Sequence, residues 1–148
     1  MSALEAIRHS PSPTPTILKQ TGRSSMPSLV DEFNDSWPHL KKALRLTGGT
    51  HTKRDIFDGI AVGDFQLWPG RRSAALTEVV KYPQIRAVRV FLAGGQLDEL
   101  KKVERSISKW AQDIGARRIE IAGRRGWVRA LDDYKETCTW MHKELDDE

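Results

Sequence analysis

Cysteine is almost absent from this chain, since Cys138 is the single cysteine in 148 residues. An internal disulfide is therefore excluded, which is typical of a protein from a reducing compartment. The 4 histidines are scattered and do not have the spacing of metal ligands. We therefore expect a protein without a disulfide and without a bound metal.

Long apolar runs are missing as well. No stretch reaches the roughly 18 apolar residues that a membrane-spanning helix needs. The N-terminus carries Glu5 and lacks the apolar segment of a secretory signal. With 39% hydrophobic and 30% charged residues, the composition is that of an ordinary globular domain. We expect an intracellular protein that makes no contact with a membrane.

Acidic residues are outnumbered, and the formal net charge is +4. The last five residues are acidic apart from one leucine, so the rest of the chain is more basic than this total indicates. The arginines occur in pairs, at Arg71-Arg72, Arg117-Arg118 and Arg124-Arg125. Such a surface allows an anionic partner. Nucleic-acid binding would require a basic stripe with stacking aromatics, so we rank it last among the partners.

Residues 1–35 differ in composition from the rest of the chain. Proline alternates with small hydroxyl residues between Ser10 and Thr16, a pattern that favours extended backbone and excludes helix. We therefore predict an extended N-terminal arm over residues 1–35 and a folded domain over residues 36–148. An arm of this kind is suited to contacts with neighbouring subunits. The candidate contact residues are Pro11, Pro13, Pro15, Ile17 and Leu18.

The remainder is predicted to be an α+β domain. Asp35 or Ser36 caps a first helix, with Pro38 in its first turn. Thr52 and Asp55 form the capping box of a second helix. The apolar periodicity then predicts three strands, a long amphipathic helix, a strand, a short helix and an edge strand. Their expected ranges are 64–68, 74–80, 87–92, 97–114, 119–121, 127–133 and 137–143.

This order of elements resembles the fold of the GNAT acetyltransferases over residues 36–145. The segment Gly-Trp-Val-Arg-Ala-Leu-Asp-Asp-Tyr-Lys at 126–135 is similar to the closing helix of that family. Shorter strings at 48–52, 66–68, 77–78, 91–95 and 97–100 resemble small GNAT-like proteins that tailed bacteriophages carry beside their structural genes. The resemblance implies a mixed, mostly antiparallel central sheet with flanking helices.

The resemblance also implies a place for a cofactor. In active members, a glycine-rich turn with a leading basic or glutamine residue wraps the pyrophosphate of acetyl-CoA at a helix N-terminus. The matching turn here is Ala93-Gly94-Gly95-Gln96, which is shorter and lacks both the leading basic residue and the Gly-x-Gly spacing. Two readings stay open: an atypical cofactor loop, or a plain reversal from strand to helix. We favour the reversal.

The candidate acid–base residues are few. Tyr134 stands where the resemblance implies the tyrosine that protonates the leaving thiolate, and Glu78 or Glu120 could act as base. The alternatives are a tyrosine that packs the last helix and glutamates on an exposed face. For each residue we favour the structural reading. Cys138 is interpreted as a buried thiol and not as a nucleophile.

Two functions of different class follow from these observations. The first is a non-catalytic GNAT-like virion or virion-assembly protein of a tailed bacteriophage, without a cofactor. It would bind other virion or assembly proteins through its N-terminal arm, in the virion or the host cytoplasm. The alternative is an acetyl-CoA-dependent N-acetyltransferase with an atypical cofactor loop.

Overall fold

The computed structural model describes residues 28–123 and 126–146. Most of the predicted N-terminal arm lies outside the described residues, and with it the candidate contact residues. These are Pro11, Pro13, Pro15, Ile17 and Leu18. Among the described residues, none of the helices has the length and apolar character that crossing a bilayer requires.

The described chain forms four helices and four strands. In chain order they are α1 (Leu29–Leu44), α2 (Lys53–Val62), β1 (Phe65–Pro69), β2 (Ser73–Lys81), β3 (Arg86–Gly95), α3 (Leu97–Asp113), β4 (Arg118–Ile121) and α4 (Gly126–Ala130). A short 3-10 turn, Arg45–Thr47, follows α1. Helix α2 begins with the predicted capping box, in which Thr52 and Asp55 bond each other's backbone N–H groups.

The strands form one mixed sheet in the order β1-β2-β3-β4. The β1–β2 and β2–β3 pairs are antiparallel, whereas β3 and β4 are parallel and are joined across the sheet by α3. The predicted α+β class with a mostly antiparallel mixed sheet and flanking helices is thus confirmed. A bulge places Phe91 between the pairs Thr77–Val90 and Leu76–Leu92. Pairing with β4 ends at Val90 and Ile121, so β3 continues beyond its parallel neighbour.

Each side of the sheet carries its own core. Helices α1 and α2 cover one side, which we call the α1/α2 face, where Leu40 and Ile56 pack on Leu67 and Leu76. Helix α3 covers the other side, the α3 face, where Val103 and Ile107 pack on Val88 and Val90. The alternation of side chains along the strands produces this division, because neighbouring residues point to opposite faces.

The first helix begins earlier than predicted. Ser28 is its N-cap and accepts a hydrogen bond from the backbone N–H of Asp31, so residues 29–35 are helical and not part of an extended arm. Pro38 therefore lies inside α1, not in its first turn. The helix tolerates it at the loss of one backbone hydrogen bond, since Phe33 and Leu40 on either side of it are buried in the core.

The predicted edge strand at 137–143 is wrong. The described chain has no strand after β4, and residues 135–146 are exposed and irregular. Alternating side chains produce a strand only where a neighbouring strand supplies hydrogen bonds, and this segment has none beside it. Cys138, predicted to be buried, is exposed for the same reason. The last helix was predicted at 127–133 and spans Gly126–Ala130.

Candidate functional site

The turn predicted as a cofactor loop lies at the N-terminus of α3, where β3 ends at Gly95 and Gln96 is the N-cap. The structure brings the β1–β2 turn against it. The backbone N–H of Gln96 donates to the carbonyl of Arg72 at 3.0 Å. The carboxylate of Glu99 accepts from the backbone N–H of Arg72 at 3.1 Å and from the Ser73 hydroxyl at 2.7 Å. The β1–β2 turn is thus hydrogen-bonded to the N-cap and the first turn of α3.

Both glycines of this turn are explained by close backbone packing. A Cβ on Gly94 would meet the carbonyl group of His39 in α1. Gly95 has φ +116°, and a Cβ there would meet the carbonyl of Arg72 and the Cα of Ser73. Glycine is therefore required for the contacts of β3 with α1 and with the β1–β2 turn, whether or not a phosphate binds.

The charge at this helix end also opposes an anion. Asp98 and Glu99 both lie in the first turn of α3, where the partial positive charge of the helix favours carboxylates. Burial acts to raise the pKa of Glu99, but the Ser73 hydroxyl and the backbone N–H groups of Arg72 and Arg71 outweigh it and lower that pKa. Glu99 is therefore held ionised in the first turn of α3, where its negative charge would repel a phosphate.

The predicted base Glu78 belongs to a row of charged side chains across three strands. Strand register places Arg89 of β3 between Glu78 of β2 and Glu120 of β4. The Arg89 guanidinium lies 3.3 Å from Glu78 and 3.1 Å from Glu120, and all three side chains are 22–29% exposed. We call this row the Glu–Arg–Glu ladder. It lies on the same side of the sheet as α1 and α2.

Two further residues complete the hydrogen bonding of Glu120. The Tyr82 hydroxyl donates to its carboxylate at 2.9 Å, and Arg118 lies 3.0 Å from the other carboxylate oxygen. Burial acts to raise the pKa of Glu120, but the hydrogen bonds from Tyr82 and Arg89 and the charges of Arg89 and Arg118 lower it. A general base needs a free lone pair and a pKa near the working pH. Glu120 joins strands and is not suited to proton transfer.

Tyr134 lies apart from the Glu–Arg–Glu ladder. Its hydroxyl donates to Glu104 of α3 at 2.9 Å, and the same carboxylate accepts from Ser108 at 2.6 Å. Burial, followed by the charge of Glu104, raises the pKa of Tyr134. Because α3 covers the opposite side of the sheet from Glu78, the structure does not bring the predicted acid and base together.

The sequence analysis missed the partners Arg89, Tyr82 and Arg118. A signal was present, since Arg89 interrupts an otherwise apolar run from Ala87 to Leu92. A cation inside a buried strand requires a carboxylate beside it. Within the described ranges, no group of three or more His, Cys, Asp or Glu side chains is placed so that it could hold a metal ion.

A groove at the other end of α3 was not predicted either. It has a volume of about 480 Å³ and is lined by Gln66, Lys81, Arg86, Trp110 and Ile114, among others. It lies beside the C-terminal turn of α3 and the ends of β1, β2 and β3 that are remote from the Gln96 turn. It is an open depression on the surface and not an enclosed cavity.

Comparison with known proteins identifies a fold but no family. No protein-family model matches the chain, and no curated protein matches it. Among solved structures, a point mutant of TTHA1254 from Thermus thermophilus is similar to this chain, with a TM-score of 0.53 and 19% sequence identity. The similarity covers 74% of this chain and 92% of that chain. The wild-type TTHA1254 structure has a TM-score of 0.50 over the same shares, at 20% identity. At such identity the likeness shows the fold alone.

Proposed function

We propose that this chain is a non-catalytic GNAT-like protein of a tailed bacteriophage, which acts in the virion or its assembly by contacting neighbouring subunits. The observation that carries the non-catalytic part is the contact between Glu99 and the β1–β2 turn. It places the β1–β2 turn and a carboxylate at the helix N-terminus at which the GNAT resemblance implies a pyrophosphate site.

The electrostatics of that helix end support the same proposal. A helix N-terminus stabilises a nearby negative charge by about 0.3–1 kcal/mol at an exposed site, and here Asp98 and Glu99 already supply that charge. A pyrophosphate would have to displace the Glu99 carboxylate from Ser73 and would meet repulsion from Asp98. The Gln96 N–H would also have to leave the Arg72 carbonyl.

The isolation of the candidate catalytic residues supports it as well. Amine acetylation needs a base beside the substrate nitrogen and an acid beside the leaving thiolate. Glu78 is paired with Arg89, and Tyr134 is bonded to Glu104 beyond the opposite face of the sheet. No step of acetyl transfer follows from this arrangement.

The bacteriophage part of the proposal rests on the sequence. It is supported by the strings at 48–52, 66–68, 77–78, 91–95 and 97–100 that resemble small phage proteins, and by the proline-rich composition of the N-terminal arm. Proline-rich extended backbone loses little entropy when it binds. The arm is therefore suited to lie along a neighbouring subunit.

One observation favours the alternative, an acetyl-CoA-dependent N-acetyltransferase. In active GNAT members the strand before the cofactor turn has a bulge and splays from its parallel neighbour. Here β3 has a bulge at Phe91, and its pairing with β4 ends at Val90. These two features are similar to the cofactor strand of active members and support the alternative.

The melting temperature in the presence of acetyl-CoA separates the two functions. A ligand at 100 times its dissociation constant stabilises a protein by about 2.7 kcal/mol. We expect no shift at millimolar acetyl-CoA, with ATP as a control for general anion binding. A saturable rise with acetyl-CoA that ATP does not reproduce would overturn the non-catalytic assignment.

The role in a particle is tested by limited proteolysis. We expect the arm to be cleaved within residues 1–27 in the isolated protein and protected in purified phage particles, with cleavage sites read by mass spectrometry. Equal cleavage in both samples, or absence of the chain from particles and assembly intermediates, would contradict the proposed function.

A further inference from the structure

Three side chains below α3 form a buried chain of hydrogen bonds. The Trp68 indole nitrogen lies 3.0 Å from the Thr77 hydroxyl, and that hydroxyl lies 2.9 Å from the Gln66 side-chain oxygen. An indole N–H can only donate, so the Thr77 oxygen accepts from it and uses its own hydrogen for Gln66. The direction of these hydrogen bonds fixes the orientation of the Gln66 amide, with its oxygen towards Thr77.

The amide nitrogen of Gln66 is left as a donor without a partner in the described part of the chain. Gln66 is only 6% exposed, yet it lines the groove beside α3. Its nitrogen is not among the fully enclosed polar atoms, so the groove is where it is accessible. A ligand in the groove that offers an oxygen could accept a hydrogen bond from this nitrogen.

The rim of the groove carries positive charge. Lys81 and Arg86 face each other directly in the β2–β3 register, an arrangement of like charges that is unfavourable without an anion nearby. Neither residue forms an ion pair with any residue in the described ranges, and Arg86 donates to the carbonyl of Ile114. Asp64 also lines the groove and offsets only part of this charge.

The remaining wall is apolar. Trp110 and Ile114 of α3 and Val79 of β2 line it, and the Trp110 ring meets the Trp68 ring edge-on at 5.7 Å. The groove thus combines one fixed amide donor, a cationic rim and an apolar wall. This combination fits an extended peptide that alternates acidic and apolar side chains.

Glu144-Leu145-Asp146, near the end of the described chain, has this alternation and follows the exposed Trp140 and Met141. Trp140, Met141 and Leu145 are 81%, 85% and 82% exposed, which is unusual for side chains of their size. Glu144 and Asp146 flank Leu145, and in extended backbone they point to one side while Leu145 points to the other. The carboxylates and the leucine can therefore meet the rim and the apolar wall together.

We propose that the groove binds the C-terminal segment of a second copy of this chain, residues 137–146. Leu145 packs on Trp110 and Ile114, the flanking carboxylates lie beside Lys81 and Arg86, and a backbone carbonyl accepts from Gln66. The segment does not reach the groove of its own chain, since it is exposed throughout. The inference does not depend on the proposed function, because it concerns neither the N-terminal arm nor the α3 N-terminus.

Sedimentation of the full-length chain over a wide concentration range tests this inference. We expect concentration-dependent association that weakens with salt and disappears in the Leu145→Asp variant. Lys81→Glu should weaken association by about threefold to tenfold. Lys102→Glu, an equally exposed lysine on α3 outside the groove, is the matched control and should leave association unchanged.

A fluorescent peptide of residues 137–148, titrated with the full-length chain, identifies the occupant. We expect it to bind wild type and Lys102→Glu alike and Lys81→Glu more weakly, with a scrambled peptide of the same composition binding more weakly too. A chain that stays monomeric at every concentration would overturn the inference. Equal binding of the scrambled peptide would overturn it as well, and would indicate a general acidic partner.

Discussion

The carboxylate of Glu99 accepts a hydrogen bond of 2.7 Å from the hydroxyl of Ser73, across 26 positions of sequence. This contact fastens the β1–β2 turn to the first turn of α3, and the backbone N–H of Arg72 adds a second bond. Helix N-termini bind anions in other proteins. Here the first turn of α3 carries a carboxylate of its own, and that carboxylate holds a loop.

Replacing Glu99 tests how much this contact stabilises the fold. Glu99→Gln should lower the free energy of unfolding by about 1 kcal/mol, since it weakens hydrogen bonds to a charged acceptor that is partly exposed. The pKa of Glu99 is lower in the folded state than its ordinary value of about 4.3. The ionised carboxylate therefore contributes to the free energy of unfolding above the ordinary pKa, and this contribution is lost as the pH falls through the lower folded-state pKa.

Urea denaturation at neutral and acidic pH measures this difference. The stabilities of wild type and Glu99→Gln should converge at acidic pH. Asp98→Asn is the matched control, because Asp98 lies in the same helix turn but forms no hydrogen bond with the β1–β2 turn among the described residues. If the free energies of unfolding of wild type and Glu99→Gln differed by the same amount at all pH values, the ionised Glu99 carboxylate would not be the source of the stabilisation.

The Glu–Arg–Glu ladder predicts a second effect on stability. Arg89→Met leaves Glu78 and Glu120 partly buried without their shared cation. We expect the free energy of unfolding to fall by about 1–2 kcal/mol, after allowing for solvent screening. Arg89→Lys should restore only part of it, because an ammonium cannot bridge two carboxylates as a guanidinium does. Arg54→Met, which breaks the exposed pair with Asp58, should change stability by less than about 0.5 kcal/mol. Chemical denaturation of the three variants checks this order.

Tyr134 should not ionise in the folded protein at moderately alkaline pH. Its pKa is raised by burial and by Glu104, so the phenol keeps its proton well above the ordinary value of about 10. Any stabilisation from this raised pKa is fully present at a pH below the ordinary tyrosine pKa. It is lost as the pH rises through the folded-state pKa of Tyr134. The ultraviolet titration of phenolate in the folded protein should therefore be unchanged by Tyr134→Phe. A loss of amplitude near the ordinary tyrosine pKa would show that Tyr134 is free of Glu104.

Gly94 should be among the least replaceable positions. Gly94→Ala places a Cβ against the carbonyl group of His39, and overpacking of this kind costs about 1–3 kcal/mol. Gly126→Ala is the matched control, since nothing lies within 4 Å of its Cβ and alanine favours the helix α4. Thermal unfolding should show a marked drop in melting temperature for Gly94→Ala and none for Gly126→Ala.

Local signals in the sequence were sufficient for much of the fold. The capping box of Thr52 and Asp55 and the three-to-four spacing of apolar residues in α3 depend on neighbours along the chain, and both predictions are confirmed. The predicted start of α1 was wrong because Ser28, and not Asp35 or Ser36, is the N-cap, and the packed helix tolerates Pro38 in its interior. The strand at 137–143 was wrong because a strand depends on a partner that the pattern does not supply.

The candidate site was harder to predict because its contacts depend on register and packing. The row from Glu78 through Arg89 to Glu120 exists only when three strands align, and no local spacing relates these residues. The bond between Glu99 and Ser73 likewise requires the β1–β2 turn to reach α3. The adjacent glycines at 94 and 95 were interpreted as a reversal from strand to helix, and the sequence did not reveal their close contacts with His39 and with the β1–β2 turn.

The short parallel strand β4 has a consequence for the order in which the molecule opens. It has four residues, pairs with β3 along one edge, and reaches its place only after the crossover through α3. The meander β1-β2-β3 is formed by near neighbours in sequence and should resist opening longest. In native-state hydrogen exchange, the amides of Arg118–Ile121 should therefore exchange before those of β2. Because Glu120 leaves Arg89 when β4 detaches, the first opening event also releases the Glu–Arg–Glu ladder.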